Sequence, residues 1–270
     1  MLRADMTLTL HHIPACPFCQ RVEILMELKG RRDDVRSGVV DITKPREPHI
    51  LALTGGSTAL PVLELEDGRS LKESLVVMDY LEDRFPEPAV RRADPYERAI
   101  ESLMASMASP FLSSGYQLVM NQDREARGRL IEAYFEQHAQ LDAFLRRHGS
   151  TEHPWLFDRF GWAECVFTPF FRRFVLVPYY EGVDLPEGDP RFERVRAWRE
   201  ACLAHPAAQQ VSDEEIIKVY YDYTRNAGNG GLLPGRERSS FAFEPHWRDR
   251  PMPPRGKDGP PATDRELGLL

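Results

Sequence analysis

The chain predicts a small mixed α/β domain followed by an all-helical domain, with an extended tail behind them. Three observations carry this. The first ninety residues alternate strand and helix signals, a proline-punctuated segment interrupts at 85–95, and only helical periodicity follows as far as residue 224. The expected boundaries are 1–86, 95–224 and 225–270.

Residues 7–13, TLTLHHI, are β-branched and apolar and stop at Pro14, which reads as a strand. From Pro17 to Lys29 the apolar positions Val22, Leu25, Met26 and Leu28 recur near helical spacing, and Gly30 ends the run. SGVVDI (37–42) reads as a second strand, and a short helix follows Pro45 up to Gly55-Gly56. PVLEL (61–65), the Asp67-Gly68 turn and SLKE (70–73) form a hairpin, and a helix opens at Ser74 and closes at Pro86. A strand–helix–strand start implies a parallel pair, and the hairpin adds antiparallel strands.

Beyond the linker, 95–120 and 123–147 read as long helices, the second with a broad apolar stripe that includes Leu130, Tyr134, Leu141 and Leu145. Further helices are expected over 162–174 and 190–203. SDEE (212–215) is a capping box, with Ser212 as N-cap and Glu215 at N3, opening IIKVYYDY. In the last 46 residues, fourteen are proline or glycine, yet Phe241, Phe243 and Trp247 remain. The aromatics predict ordered chain along the helical domain to about residue 255, with a frayed end beyond it.

Composition narrows the function. At 42% hydrophobic and 29% charged, with a net charge of −7, the chain is of ordinary globular type and gives no reason to expect nucleic-acid binding. Its most apolar stretch, WAECVFTPFFRRFVLVPYY, is broken by Arg172 and Arg173, so no membrane span is expected. The N-terminus lacks a signal-peptide pattern. Four cysteines are too sparse for a secreted disulfide scaffold, so a reducing cytoplasm is the expected location.

The chemistry centres on HIPACPFCQRV, where Cys16 and Cys19 stand at a strand-to-helix junction. Unpaired backbone N–H groups and the helix dipole there stabilise an anion, which lowers a thiol pKa from about 8.5 into a range of roughly 3.5 to 7.5. Pro17 suits the first helical position. Cys16 is therefore the expected reactive thiol, while Cys19 is either its resolving partner or an interior residue. Cys165 and Cys202 stand alone, with no second CxxC or HxxxH, so no metal is expected. His11 and His12 are assigned ordinary surface or core roles.

At several positions the first ninety residues resemble a thioredoxin-fold domain, and the whole arrangement resembles a cytosolic glutathione transferase. Leu60-Pro61 resembles the family's cis-proline, whose preceding residue offers its backbone to the cysteinyl part of glutathione. Glu73-Ser74 resembles the pair that binds the γ-glutamyl end. Lys44-Pro45 resembles the omega-class lysine that meets the glycine carboxylate, although the spacing to Pro61 is longer here. CPFCQRV in place of an early Tyr or Ser resembles the cysteine-type classes, omega and dehydroascorbate reductase. FGWAECVFTPFFRRF (160–174), WREACLAHPAAQ (198–209), KVYYDYTRNAGNGGLLPGR (218–236) and RPMPPRGKDGPPATDRELGL (250–269) are similar to the omega-like glutathione lyases of bacterial lignin β-aryl ether cleavage. Two departures stand out: Cys19 replaces the serine of those lyases, and Gly161 with Glu164 stands where the family uses a Ser/Thr–Asp cap.

The resemblance implies glutathione as cosubstrate, held by Pro17, Phe18, Lys44, Leu60, Pro61, Glu73 and Ser74, and no metal. It also implies a homodimer, and removal of glutathione from an aromatic α-thioether ketone through a Cys16–glutathione mixed disulfide. Tyr220 or Tyr221 would assist the departing enolate, and Tyr116, Tyr220, Tyr221 and Tyr223 would hold the aromatic substrate. The alternatives are a glutaredoxin-like oxidoreductase or dehydroascorbate reductase using Cys19, or a non-catalytic binding protein of the same fold.

Overall fold

A computed structural model describes residues 8–270. Strands β1 (Leu8–His12), β2 (Val35–Val39), β3 (Val62–Glu64) and β4 (Ser70–Lys72) form one sheet in the order β2-β1-β3-β4. β1 pairs parallel with β2 and antiparallel with β3, and β3 with β4 is the expected hairpin. On β1 the alternating burial turns Leu8, Leu10 and His12 inward. That face packs with α1 (Pro17–Leu28) and α3 (Ser74–Arg84), whereas α2 (Pro48–Thr54) is placed beside β3 and β4. The second strand starts two residues earlier than expected. Its parallel register pairs Leu8 with Val35 and His12 with Val39, so Val35 is its buried anchor and the chain leaves the sheet beyond Val40.

The helical unit begins with α4 (Pro95–Ser106), capped by Asp94, whose carboxylate accepts from the N–H groups of Tyr96 and Glu97. The single helix expected over 95–120 is two, because the chain turns at Met107 into α5 (Ala108–Met120). α6 (Arg127–His148), α7 (Trp162–Arg173) and α8 (Glu193–Ala204) follow. At the start of α7, Glu164 accepts from the Gly161 N–H at 2.9 Å, the Leu156 N–H at 2.7 Å and the Trp198 indole at 2.8 Å. One carboxylate thus does the work of a cap that Gly161 has no side chain to supply. A π-helical turn at Val177–Glu181 lies outside the sequence reading. The Ser212 capping box is present and opens α9 (Asp213–Val219), which breaks at Tyr220 before α10 (Tyr221–Thr224).

The tail corrects an expectation. It does not fray after residue 255: Leu267 and Leu269 are buried. The reason is a buried ionic lock that composition hides. Arg236 meets Asp222 of α10 at 2.8 Å and also pairs with Asp264, whose other oxygen takes the Glu237 N–H at 2.8 Å. Arg238 reaches the Leu269 carbonyl at 2.8 Å, and Lys257 reaches the carbonyl of Val119 at 2.7 Å. Removing one partner of a buried ion pair leaves the other charge uncompensated. Arg236→Met is therefore expected to cost about 3 kcal/mol or more in denaturant unfolding. An unchanged midpoint would show that the tail is not locked in this way.

Candidate active site

After β1 the chain turns tightly, the Cys16 N–H closing on the Ile13 carbonyl at 2.8 Å. Cys16 keeps extended dihedrals (φ −79°, ψ 126°) as N-cap of α1, and Pro17 occupies the first turn, where a missing N–H costs nothing. The Sγ atom thus sits over an open helix N-terminus. It lies 3.9 Å from the carbonyl of Leu60, whose bond to Pro61 is cis.

The Cys16 thiol is lowered to about 7. The leading cause is a hydrogen bond from the Cys19 thiol. Burial opposes it, while the Cys19 and Phe18 backbone N–H groups and the positive charge of Arg173 add to it. Cys19 is wholly buried, and burial followed by the neighbouring Cys16 pushes it well above the ordinary thiol range. The pair is accordingly unequal: Cys16 carries the negative charge and Cys19 keeps its proton.

Sequence reading missed the cations of this site. Arg173, at the end of α7, is fully buried. Its guanidinium donates to the Ala15 carbonyl at 2.7 Å, to the Pro169 carbonyl at 3.2 Å and to the Gln20 side chain. All three acceptors are neutral. Arg21 of α1 donates to the Val166 carbonyl at 3.0 Å and the Ser74 hydroxyl at 3.1 Å, and stacks on Phe170 at 4.4 Å. Burial lowers Arg21 to about 9, and the charge of Cys16 works against that fall. Two buried guanidiniums whose hydrogen-bond acceptors are all neutral thus flank the thiolate. The available signal was Arg172-Arg173 inside an apolar helix, read only as evidence against a membrane span.

A cleft of about 540 Å³ opens over Cys16 between the two units. Pro17, Phe18, Lys44 and Leu60 line it from the sheet side, and Tyr116, Tyr220 and Tyr223 from the helical side. Arg46, Ser57–Ala59, Asn229 and Phe241 also line it, none of them anticipated there. The Tyr116 hydroxyl donates to that of Tyr220 at 3.3 Å, and Tyr220 donates to the Ala15 carbonyl at 2.9 Å. Burial raises both phenols, so they remain protonated and can donate.

Tyr221 does not belong to this group. It is fully buried, and its hydroxyl accepts the Ala262 N–H at 2.6 Å, holding the tail. Tyr220 is the break between α9 and α10, and Tyr221, the first residue of α10, is turned toward the tail instead of the cleft. Lys44 stands at the rim, largely exposed, 3.2 Å from Asp41. Glu73, Ser74 and Pro61 are not among the lining residues. Glu73 adopts φ +66° at the head of α3, a conformation unusual for a residue with a side chain, and Ser74 is buried against Arg21.

The fold and the thiol at the head of α1 define a thioredoxin-like domain with a cysteine in its first helix turn, joined to a helical domain, and comparison with known proteins gives the family. Residues 10–89 match the model of the glutathione S-transferase N-terminal domain, and residues 124–201 match that of its C-terminal domain. The chain belongs to the glutathione S-transferase family. It is 25% identical over 214 residues to glutathione S-transferase omega-1 of Mus musculus, which spans 77% of this chain and 80% of that protein. The omega-1 protein of Sus scrofa is 22% identical, over 78% of this chain and 84% of its own length. Glutathione transferase Omega 3C of Trametes versicolor superposes with a TM-score of 0.65 at 22% identity, covering 77% of this chain and 90% of that one. The dehydroascorbate reductase of Chlamydomonas reinhardtii superposes with a TM-score of 0.62 at 23% identity, covering 82% and 100%. Among the described residues, no helix is long and apolar enough to cross a membrane.

Proposed function

We propose that the protein is a glutathione-dependent lyase and thioltransferase that removes glutathione from an aromatic α-thioether ketone. The observation that carries this reading is a Cys16 thiol lowered to about 7 that faces, across one cleft, a wall of protonated tyrosines. The Cys16 thiolate attacks the glutathione sulfur of the conjugate, and an S–S bond forms as the carbon–sulfur bond breaks. The electron pair passes to the α-carbon as an enolate, with its charge on the ketone oxygen. Tyr220 exchanges the Ala15 carbonyl for that oxygen, with Tyr116 donating behind it. A second glutathione thiolate then attacks the mixed disulfide, giving oxidised glutathione and free Cys16, and its proton ends on the ketone carbon.

Glutathione lies with its cysteinyl backbone against Leu60 and Pro61 and its γ-glutamyl end toward Glu73 and Ser74. Arg21 adds positive charge beside Ser74, and Lys44 faces the glycine carboxylate. The functional unit is a homodimer, the sheet domain of one subunit against the helical domain of the other. Exposed Val76 on α3 and Tyr96 and Leu103 on α4 offer the apolar contact. A cytoplasmic setting keeps the four free cysteines reduced.

The test is incubation with glutathione and a panel of glutathionyl aryl ketones, with the freed ketone and oxidised glutathione as readouts in equal amounts. Tyr220→Phe is expected to slow ketone release about 10²-fold while leaving reduction of a small glutathione mixed disulfide nearly unchanged, since that reaction forms no enolate. Equal loss in both assays would count against the enolate role. A second reading, a dithiol oxidoreductase or dehydroascorbate reductase, is favoured by the Cys19–Cys16 hydrogen bond. It requires Cys19 for turnover on every substrate.

A further inference from the structure

On the side of the sheet away from α1, three side chains from three elements converge. His11 of β1 and His49 of α2 both direct Nε2 at the same oxygen of Glu64 on β3, at 2.9 and 3.2 Å. The two rings meet edge-on, 5.7 Å between centroids, and the three ligand atoms all lie within 4.8 Å of one another. We propose that His11, His49 and Glu64 form a binding site for a late-transition divalent cation such as Zn²⁺, independent of the Cys16 cleft.

Several features support a site rather than a chance meeting of polar side chains. Two imidazoles and one carboxylate are the donor set preferred by Zn²⁺ with an open fourth position. Tetrahedral ligands about 2.0–2.2 Å from zinc lie ~3.3 Å apart, so the two imidazole-to-carboxylate spacings need only a few tenths of an ångström of expansion, and the two imidazole nitrogens, within 4.8 Å of one another, settle to the same separation as the exposed His49 ring turns. Two of the three ligands are held by the sheet, where β1 pairs with β3 through Thr9↔Glu64 and His11↔Val62, which sets His11 and Glu64 diagonally on one face. The His11 ring lies over Gly38, its register partner on β2. A Cβ there would come within 2.6 Å of Nδ1, so only glycine leaves this space. His11 and Glu64 are mostly buried, while His49 is 56% exposed and leaves an entry path. On binding, each imidazole would place its Nε2 lone pair on the cation and carry its proton on Nδ1. Such an ion ties α2 to the sheet, and α2 leads directly into Ser57–Leu60, one wall of the Cys16 cleft.

Thiolates are zinc ligands in general, so the experiment starts from the full chain carrying Cys16→Ser and Cys19→Ser, the buried Cys165 and Cys202 being left in place. Calorimetric titration of the metal-stripped protein with Zn²⁺ is expected to show one ion per chain and a raised thermal midpoint. Adding His49→Ala, a largely exposed position that the fold tolerates, should weaken binding at least ~10-fold and abolish the thermal shift. Glu64→Gln should do the same. Co²⁺ in place of Zn²⁺ should give a visible spectrum of nitrogen and oxygen ligation that His49→Ala removes. No binding to the chain carrying Cys16→Ser and Cys19→Ser, or binding that His49→Ala and Glu64→Gln leave unchanged, overturns the proposal. Neither outcome bears on turnover by Cys16.

Discussion

Replacing Cys16 by serine is expected to lower turnover on glutathionyl aryl ketones by about 10⁴-fold or more, the scale seen when an essential nucleophile is removed. Serine keeps the N-cap and most of the shape, so the fold and glutathione binding should survive. What is lost is an acid lowered to about 7 in favour of an alcohol that stays protonated at any working pH. The check is steady-state turnover alongside glutathione binding by calorimetry. Unchanged binding with lost turnover assigns Cys16 to the chemical step, whereas residual turnover within tenfold of the parent would remove it from the mechanism.

The second large effect concerns Cys19. Its thiol is the leading cause of the lowered Cys16 value, and its own burial keeps it protonated, so its expected part is that of a hydrogen-bond donor. Cys19→Ala removes that donor with little change of volume. Cys16 should then return toward about 8.5, and the thiolate present at pH 7 should fall from about one half to about 3 per cent. The sign is fixed by the group being an acid. Its reactive form is present above its pKa and lost as pH falls through it, so the variant's profile moves to higher pH and recovers near pH 9. Cys19→Ser, which restores a donor, should lie between parent and alanine variant. The rate of Cys16 alkylation against pH is the direct measure, because Cys19, Cys165 and Cys202 are fully buried. A dithiol cycle gives another pattern, in which both variants fail at every pH.

Much of the site could be read locally. CPFC at a strand-to-helix junction marks the candidate thiolate from the geometry of one helix end, and the structure sets the Leu60 carbonyl 3.9 Å from its Sγ. The hairpin, the Ser212 capping box and the helical character of the second unit were legible for the same reason, since each depends on a few neighbouring residues. What was not legible depends on distant parts of the chain. Arg173 reaches Ala15 across 158 positions because α7 packs on α1, and no local pattern announces that. Tyr220 and Tyr221 stand together in YYDY and nothing local separates them, whereas the contact of Tyr221 with the tail at Ala262 gives it a structural role. Beyond about residue 255 the tail reads as a frayed end, yet Arg236 ties Asp264 to Asp222 through charges far apart in sequence.

The most direct test of the central claim is a single-turnover experiment with a glutathionyl aryl ketone and no added glutathione, followed by mass spectrometry of the whole chain and its peptides. The mechanism predicts one freed ketone per active chain and one glutathione attached by disulfide at Cys16, released as oxidised glutathione when glutathione is added. Ketone release without attachment, or attachment at any cysteine other than Cys16, would contradict it.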